Sequence, residues 1–158
     1  MDLLTSAWIP VRADNGVGQL QRLTYEELLC GEGHWAISLP RDDFELSGLQ
    51  LLTCITQIIF LPTDDATLRA FITKPLSPEQ FADHVAPFQD WFDLDHPTQP
   101  FMQTRGVESK EDTPIQKLLI GLPEGNNHAF FNEVGEVKRL GPTVAAIALF
   151  NQAMNCPS

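Results

Sequence analysis

The chain has 158 residues, 43% of them apolar, and carries 10 Lys and Arg against 21 Asp and Glu, a net charge of −11 with His neutral. At roughly 100–200 residues per domain this is one domain or a piece of a larger one, and the apolar content argues against disorder. A membrane span needs about 20 apolar residues, and the most apolar run, Leu46 to Leu61, is interrupted by Gln50, Thr53, Thr56 and Gln57.

Residues 3–12 read as extended, with Trp8, Ile9, Val11 and an edge-type Pro10. Asp14-Asn15-Gly16 is a turn signal, and Gln19 to Leu23 returns as the second strand of a hairpin. Thr24-Tyr25-Glu26-Glu27 fits a capping box and predicts a short helix through Leu29, ended by Gly31 and Gly33. His34 to Leu39 is a short apolar run stopped by Pro40. Asp42 or Asp43 opens the longest helix, to about Phe60, where acidic residues suit the positive end of the helix dipole. Its Leu51, Leu52, Ile55, Ile58 and Ile59 fill more than one face and predict a mostly buried helix.

Asp64 or Asp65 caps a second helix with Leu68, Phe71 and Ile72. Ser77-Pro78-Glu79-Gln80 is a cap, a proline at the first position and a Gln at the third, and starts another helix that Pro87 kinks or shortens. Residues 93–112 read as loop. Thr113-Pro114-Ile115-Gln116 repeats the cap arrangement and predicts a short helix to about Ile120. His128 to Asn132 reads as a strand, Glu133 to Gly141 as a hairpin-like loop, and Thr143 to Met154 as an apolar helix. The order of elements predicts an α+β fold: a small antiparallel sheet with several packed helices.

Cys30, Cys54 and Cys156 are too few and too widely spaced for a disulfide framework or a metal knuckle. The first ten residues lack a basic n-region, so no secretory signal is expected and the expected location is cytoplasmic. Residues 1–100 hold 15 acidic and 5 basic side chains, whereas residues 101–158 hold 6 and 5. Phosphates are repelled by the first stretch, so any nucleic-acid contact belongs to the second.

Four constellations are candidates for chemistry. Asp90, Asp93, Asp95 and His96 form an oxygen-rich segment, but no calcium-loop glycine accompanies them, and a solvated acidic loop is the simpler reading. Arg41-Asp42-Asp43 near His34 fits either an acid–base pair or a charge-paired helix start. Cys30 and His34 are four apart, but Gly31 and Gly33 spoil helical geometry between them. Phe130-Phe131-Asn132, followed by Lys138 and Arg139, offers aromatic faces for bases, an amide for a base edge and cations for phosphate. An aromatic strand packed on the core is the competing reading. No metal site and no cofactor are expected.

Several short segments recur together in order: Trp8-Ile9-Pro10-Val11-Arg12; Ser38-Leu39-Pro40-Arg41-Asp42-Asp43 with Glu45-Leu46; and His96-Pro97 leading to Pro100-Phe101-Met102-Gln103-Thr104. Then follow Thr113-Pro114 with Lys117-Leu118-Leu119, Asn127 with Ala129-Phe130 and Asn132, and Thr143 with Ala146 through Ala153. With these the chain resembles the N-terminal part of the large subunit, CasA, of the type I-E CRISPR Cascade complex. The resemblance spans nearly the whole chain. It implies a non-catalytic subunit of an RNA-guided surveillance complex, placed by the 5′ handle of the guide RNA. It also implies partners: other Cascade subunits, target double-stranded DNA whose protospacer-adjacent motif is read, and a recruited nuclease-helicase. No membrane partner is implied.

By position, Phe130 and Asn132 match family residues at the start of a loop that contacts the guide handle and lies close to DNA. Lys138 and Arg139 lie within that loop and are candidates on charge alone. The family's glycine-rich motif-reading loop follows the equivalent of Phe150-Asn151-Gln152, whereas this sequence reaches Ser158 without it. The paired cysteines that some members carry are replaced here by Leu140-Gly141-Pro142-Thr143. The expectation is that residues 1–158 are the front portion of a larger domain, without its remainder or the C-terminal helical bundle. Two other classes fit the residues: a free-standing acidic mimic of DNA, and a small hydrolase using His34 or His96.

Overall fold

A computed structural model describes residues 1–15, 18–108, 110, 113–119 and 137–155. Three antiparallel strands form a sheet in the order β2-β1-β3: β1 (Ile9–Ala13) is central, β2 (Gln21–Leu23) pairs with it as a hairpin, and β3 (Trp35–Ile37) lies on its other side. Five helices pack around it: α1 (Tyr25–Cys30), α2 (Asp42–Ile59), α3 (Asp65–Thr73), α4 (Pro78–Val85) and α5 (Pro142–Asn155). This is the expected α+β class.

The helix starts follow the sequence closely. Thr24 and Glu27 complete their capping box, as do Ser77 and Gln80, and Asp64 accepts from Thr67 N at 2.8 Å. Pro87 ends the α-helical geometry of α4, which passes into a 3₁₀ turn at Ala86–Phe88. Gly31 and Gly33 are required by close approach. A Cβ at Gly31 would lie 2.5 Å from Glu27 O, and one at Gly33 would lie 2.4 Å from Trp35 Nε1.

Three expectations need correction. The first strand begins only at Ile9, because Asp2 Oδ1 accepts from Leu4 N and Thr5 N and folds residues 3–6 into a turn. That turn sends Leu3 and Leu4 into the core, and Trp8 Nε1 donates to Leu3 O at 2.7 Å. Helix α2 is not buried all round. Phe44, Ser47, Gly48, Leu51, Leu52, Ile55 and Ile59 form one buried face, while Leu46, Leu49 and Ile58 stay exposed because no described element covers the opposite side. The short helix after Thr113 is a 3₁₀ turn, Ile115–Leu118, with Pro114 before it; Gln116 points inward rather than back to a cap.

Two contacts distant in sequence close the fold. Leu3 N donates to Phe92 O, and Leu94 N donates to Met1 O, each at 3.0 Å, so the N-terminal residues line up beside residues 92–94. Helix α5 packs on α2 and on the turn at Ile115–Leu118, with Ala146, Ile147 and Ala148 all fully buried. At the crossing, Gly48 leaves a gap that a methyl would fill, 3.6 Å from Ile147 Cδ1, and the Ser47 hydroxyl meets Asn151 Oδ1 at 2.8 Å in the interior.

A second centre is aromatic. Tyr25 is fully buried, edge-on to Phe81 at 5.7 Å and 6.4 Å from Phe60, and Phe60 stacks on His84 at 5.2 Å. The ring of His84 is oriented by its Nδ1, 2.8 Å from Gln80 O; a carbonyl only accepts, so Nδ1 carries the proton. The Tyr25 hydroxyl lies 2.8 Å from Thr56 Oγ1, which donates to Leu52 O, so the phenol donates to Thr56.

Burial pushes the Tyr25 hydroxyl up to about 12. The folded value lies above the ordinary value of 10.0, so Tyr25's contribution is intact below pH 10 and is lost as the pH rises through 12. The sequence has one tyrosine. Phenolate absorbance near 295 nm therefore reads Tyr25 alone, and we expect it to titrate near pH 12 in the native protein and near 10 in denaturant. Native titration near 10 would contradict the buried, bonded phenol.

Candidate nucleic-acid interface

Of the four candidates, Phe130 and Asn132 lie outside the described residues. Lys138 and Arg139 are both exposed, in the irregular stretch 137–141 that leads into α5. Two hydrogen bonds hold this stretch. Val137 N donates to the Oε1 of Gln116 at 3.2 Å, and Ala145 N donates to Gly141 O at 2.9 Å as α5 begins. Gln116 is 1% exposed on the 3₁₀ turn, so the acceptor is fixed. Val137 and Leu140 pack on the core on either side. The two cations thus project from a segment pinned at both ends.

Charge singles this corner out. Residues 113–119 and 137–155 hold Lys117, Lys138 and Arg139 and not one Asp or Glu, in a chain of net charge −11. The first turn of α5, which begins three residues past Arg139, contains no acid, so the partial positive charge of its peptide dipoles lies close by.

The other constellations resolve into architecture. Arg41 donates twice to Asp43, both bonds 2.9 Å long, and its guanidinium lies 5.4 Å from the Phe44 ring centre. The Arg41 bonds hold the Asp43 carboxyl below the usual aspartate value. This is the charge-paired helix start and not an acid–base couple. His34 lies instead along a groove of about 560 Å³ beside α3, with Phe71 and Lys74. The Cys30 thiol is pushed up by burial and then by Glu26, the opposite of what an activated nucleophile needs.

In the acidic loop, Asp93 accepts from Asp95 N and, with Asp95, pairs with the amino group of Met1. His96 Nδ1 accepts from Gln99 N at 3.0 Å, and Phe101 N donates to Asp93 O at 2.8 Å, which folds residues 93–103 on themselves. Met102 takes a left-handed φ of 53° at the tip of that fold. Among the described residues no three His, Cys, Asp or Glu side chains gather as a metal site. Elsewhere Asp2, Glu27, Asp64 and Asp93 each accept from backbone N–H groups at turns and helix starts.

The family model described as CRISPR-associated protein Cse1 matches residues 2–158. The chain belongs to the Cse1 family. Among solved structures, Thermobifida fusca Cse1 is similar with a TM-score of 0.74 and 21% identity, over 95% of this chain and 29% of that one. Thermus thermophilus CasA (Cse1) gives 0.67 and 22%, over 96% of this chain and 31% of that one. A chain of a CRISPR RNA-guided surveillance complex gives 0.73 and 19%, over 96% and 34%. At these identities the likeness establishes the fold, and this Cse1-family chain spans about a third of the length of each of those proteins.

The Gln116–Val137 bond was not legible in the sequence, where Gln116 reads as part of a helix cap. Replacing Gln116 with Leu leaves the Val137 N–H without its acceptor, at a cost of about 1–2 kcal/mol. We expect a lower Tm and faster trypsin cleavage after Lys138 and Arg139. Unchanged cleavage at these two sites would show that the bond does not hold the segment.

Proposed function

We propose that this chain supplies the front part of the large subunit of a type I-E Cascade complex and acts there by binding, without catalysis. The observation that carries the reading is the family match across residues 2–158. The exposed pair Lys138 and Arg139, on a stretch held by Gln116, supports a contact with the 5′ handle of the guide RNA, continued by Phe130 and Asn132. Stacking by Phe130, base-edge bonding by Asn132 and phosphate pairing by the two cations are the chemistry each residue type supplies. The same corner stands near the target duplex in this reading and contributes to protospacer-adjacent-motif recognition. Other Cascade subunits and a recruited nuclease-helicase are the protein partners, and the setting is cytoplasmic.

The acidic surface has a place in this scheme. A body carrying 15 acids against 5 bases over residues 1–100 repels stray DNA, so stable binding depends on the assembled complex and one local corner.

The test is assembly of the protein onto a guide-RNA-loaded complex that lacks its large subunit, read by mobility shift at several salt concentrations. We expect Lys138→Glu with Arg139→Glu to weaken assembly at least 10-fold and to flatten the salt dependence by about 0.7–0.9 for each phosphate no longer neutralised. Phe130→Ala with Asn132→Ala is expected to weaken assembly with little change in salt slope and no fall in Tm. Wild-type assembly by both pairs would refute the role. A lower Tm for the second pair would instead assign Phe130 to the core.

A further inference from the structure

The outer edge of β3, unpaired among the described residues, lies beside exposed apolar side chains of α2. Asp14 N donates to His34 O and Ser38 N donates to Pro10 O, both at 3.0 Å. In an antiparallel ladder residues alternate in the side to which they bond, so His34, Ala36 and Ser38 turn their peptide groups to β1. Trp35 and Ile37 therefore turn theirs outward, and among the described residues no strand pairs with that side. A row of unmet N–H and C=O groups is a template for another strand.

Beside this edge runs a groove of about 450 Å³ between β3 and the first half of α2. Its floor is apolar. Trp35 and Ile37 are half-buried against the core, while Leu46 and Leu49 are 58% and 54% exposed. Its charged lining is purely acidic, Asp42 and Glu45, both exposed. One Glu45 oxygen accepts from Leu39 N at 3.2 Å, which holds the carboxylate at the rim. The nearest paired base on the sheet, Arg12, stands opposite Ala36 on the face turned away from α2. Gly33 fixes the end of the groove, because the Trp35 indole occupies the space where a side chain would begin.

We infer that the β3 edge is a docking site for an extended, basic segment of another polypeptide, which adds a fourth strand to the sheet. Backbone bonds to Trp35 and Ile37 supply the pairing. Alternate side chains of the guest divide between apolar contacts with Leu46 and Leu49 and Lys or Arg contacts with Asp42 and Glu45. The charge pattern selects against a second copy of this chain, since a two-fold contact would bring Asp42 and Glu45 of both copies together. The inference stands independently of the guide-RNA corner, which lies on residues 137–141.

The probe is the peptide acetyl-Lys-Val-Lys-Val-Lys-amide, titrated into ¹⁵N-labelled protein and followed by NMR. We expect shifts centred on the Trp35 and Ile37 amides and the Trp35 indole, reduced by added salt. The same peptide with N-methylated valines, which cannot complete the ladder, is expected to bind at least 10-fold more weakly. The Glu-Val-Glu-Val-Glu peptide should give no response, and Leu46→Asp with Leu49→Asp should remove the response to the basic peptide. The peptide comparisons use wild-type protein, so they decide the question even if that variant misfolds. Absence of shifts at millimolar peptide, shifts centred elsewhere, or equal response to the acidic or N-methylated peptide would overturn the site. Sedimentation showing a dimer that Leu49→Asp dissolves would assign the edge to self-association and overturn it as well.

Discussion

The crossing of α5 over α2 is the constraint on which the remaining structure rests. Helix α2 is the central element, with the sheet and α4 served by its ends and α5 by its middle. Small residues at Ser47 and Gly48 let α5 come close, and Ile147 fills the space above them. The buried contact between Ser47 and Asn151 then sets the register, since sliding α5 by one turn would pull the two side chains apart. Only with α5 so placed does the stretch bearing Lys138 and Arg139 meet the 3₁₀ turn that offers Gln116.

This arrangement separates two tasks. Several acidic side chains of residues 1–100 are engaged in local structure: they close turns, start helices and pair with Arg41 or the amino terminus. Lys138 and Arg139 are exposed side by side on the stretch that leads into α5. A chain can thus be strongly acidic overall and still expose two adjacent cations on a stretch held in place by a buried side chain.

Local signals were legible wherever a single turn of chain decides the outcome. The capping boxes at Thr24 and Ser77, the cap at Asp64, the break at Pro87 and the hairpin between β1 and β2 all follow from side chains within four residues of one another. What escaped depends on partners far along the chain. The turn at Asp2 matters because Leu3 has Phe92 to pair with, and Gln116 turns inward because Val137 arrives beside it. Ile58 reads as core because periodicity records apolar faces, not which of them a neighbour covers. The ordered string of short family matches was visible, yet many of those residues prove to be joints of the fold: Arg41 and Asp43 pair, Glu45 holds Leu39, Asn151 meets Ser47. The two candidate cations, by contrast, were found from charge alone, with no periodic pattern to mark them.

The long reach of these closing contacts bears on how the protein is made. Ser47 leaves the ribosome 104 residues before Asn151 does, a delay of roughly 5–20 s at ordinary translation speeds. For that interval α2 has emerged with its apolar face uncovered and its partner helix unmade. The fourteen residues of α5 close over Ser47 and Gly48 only once they too have emerged.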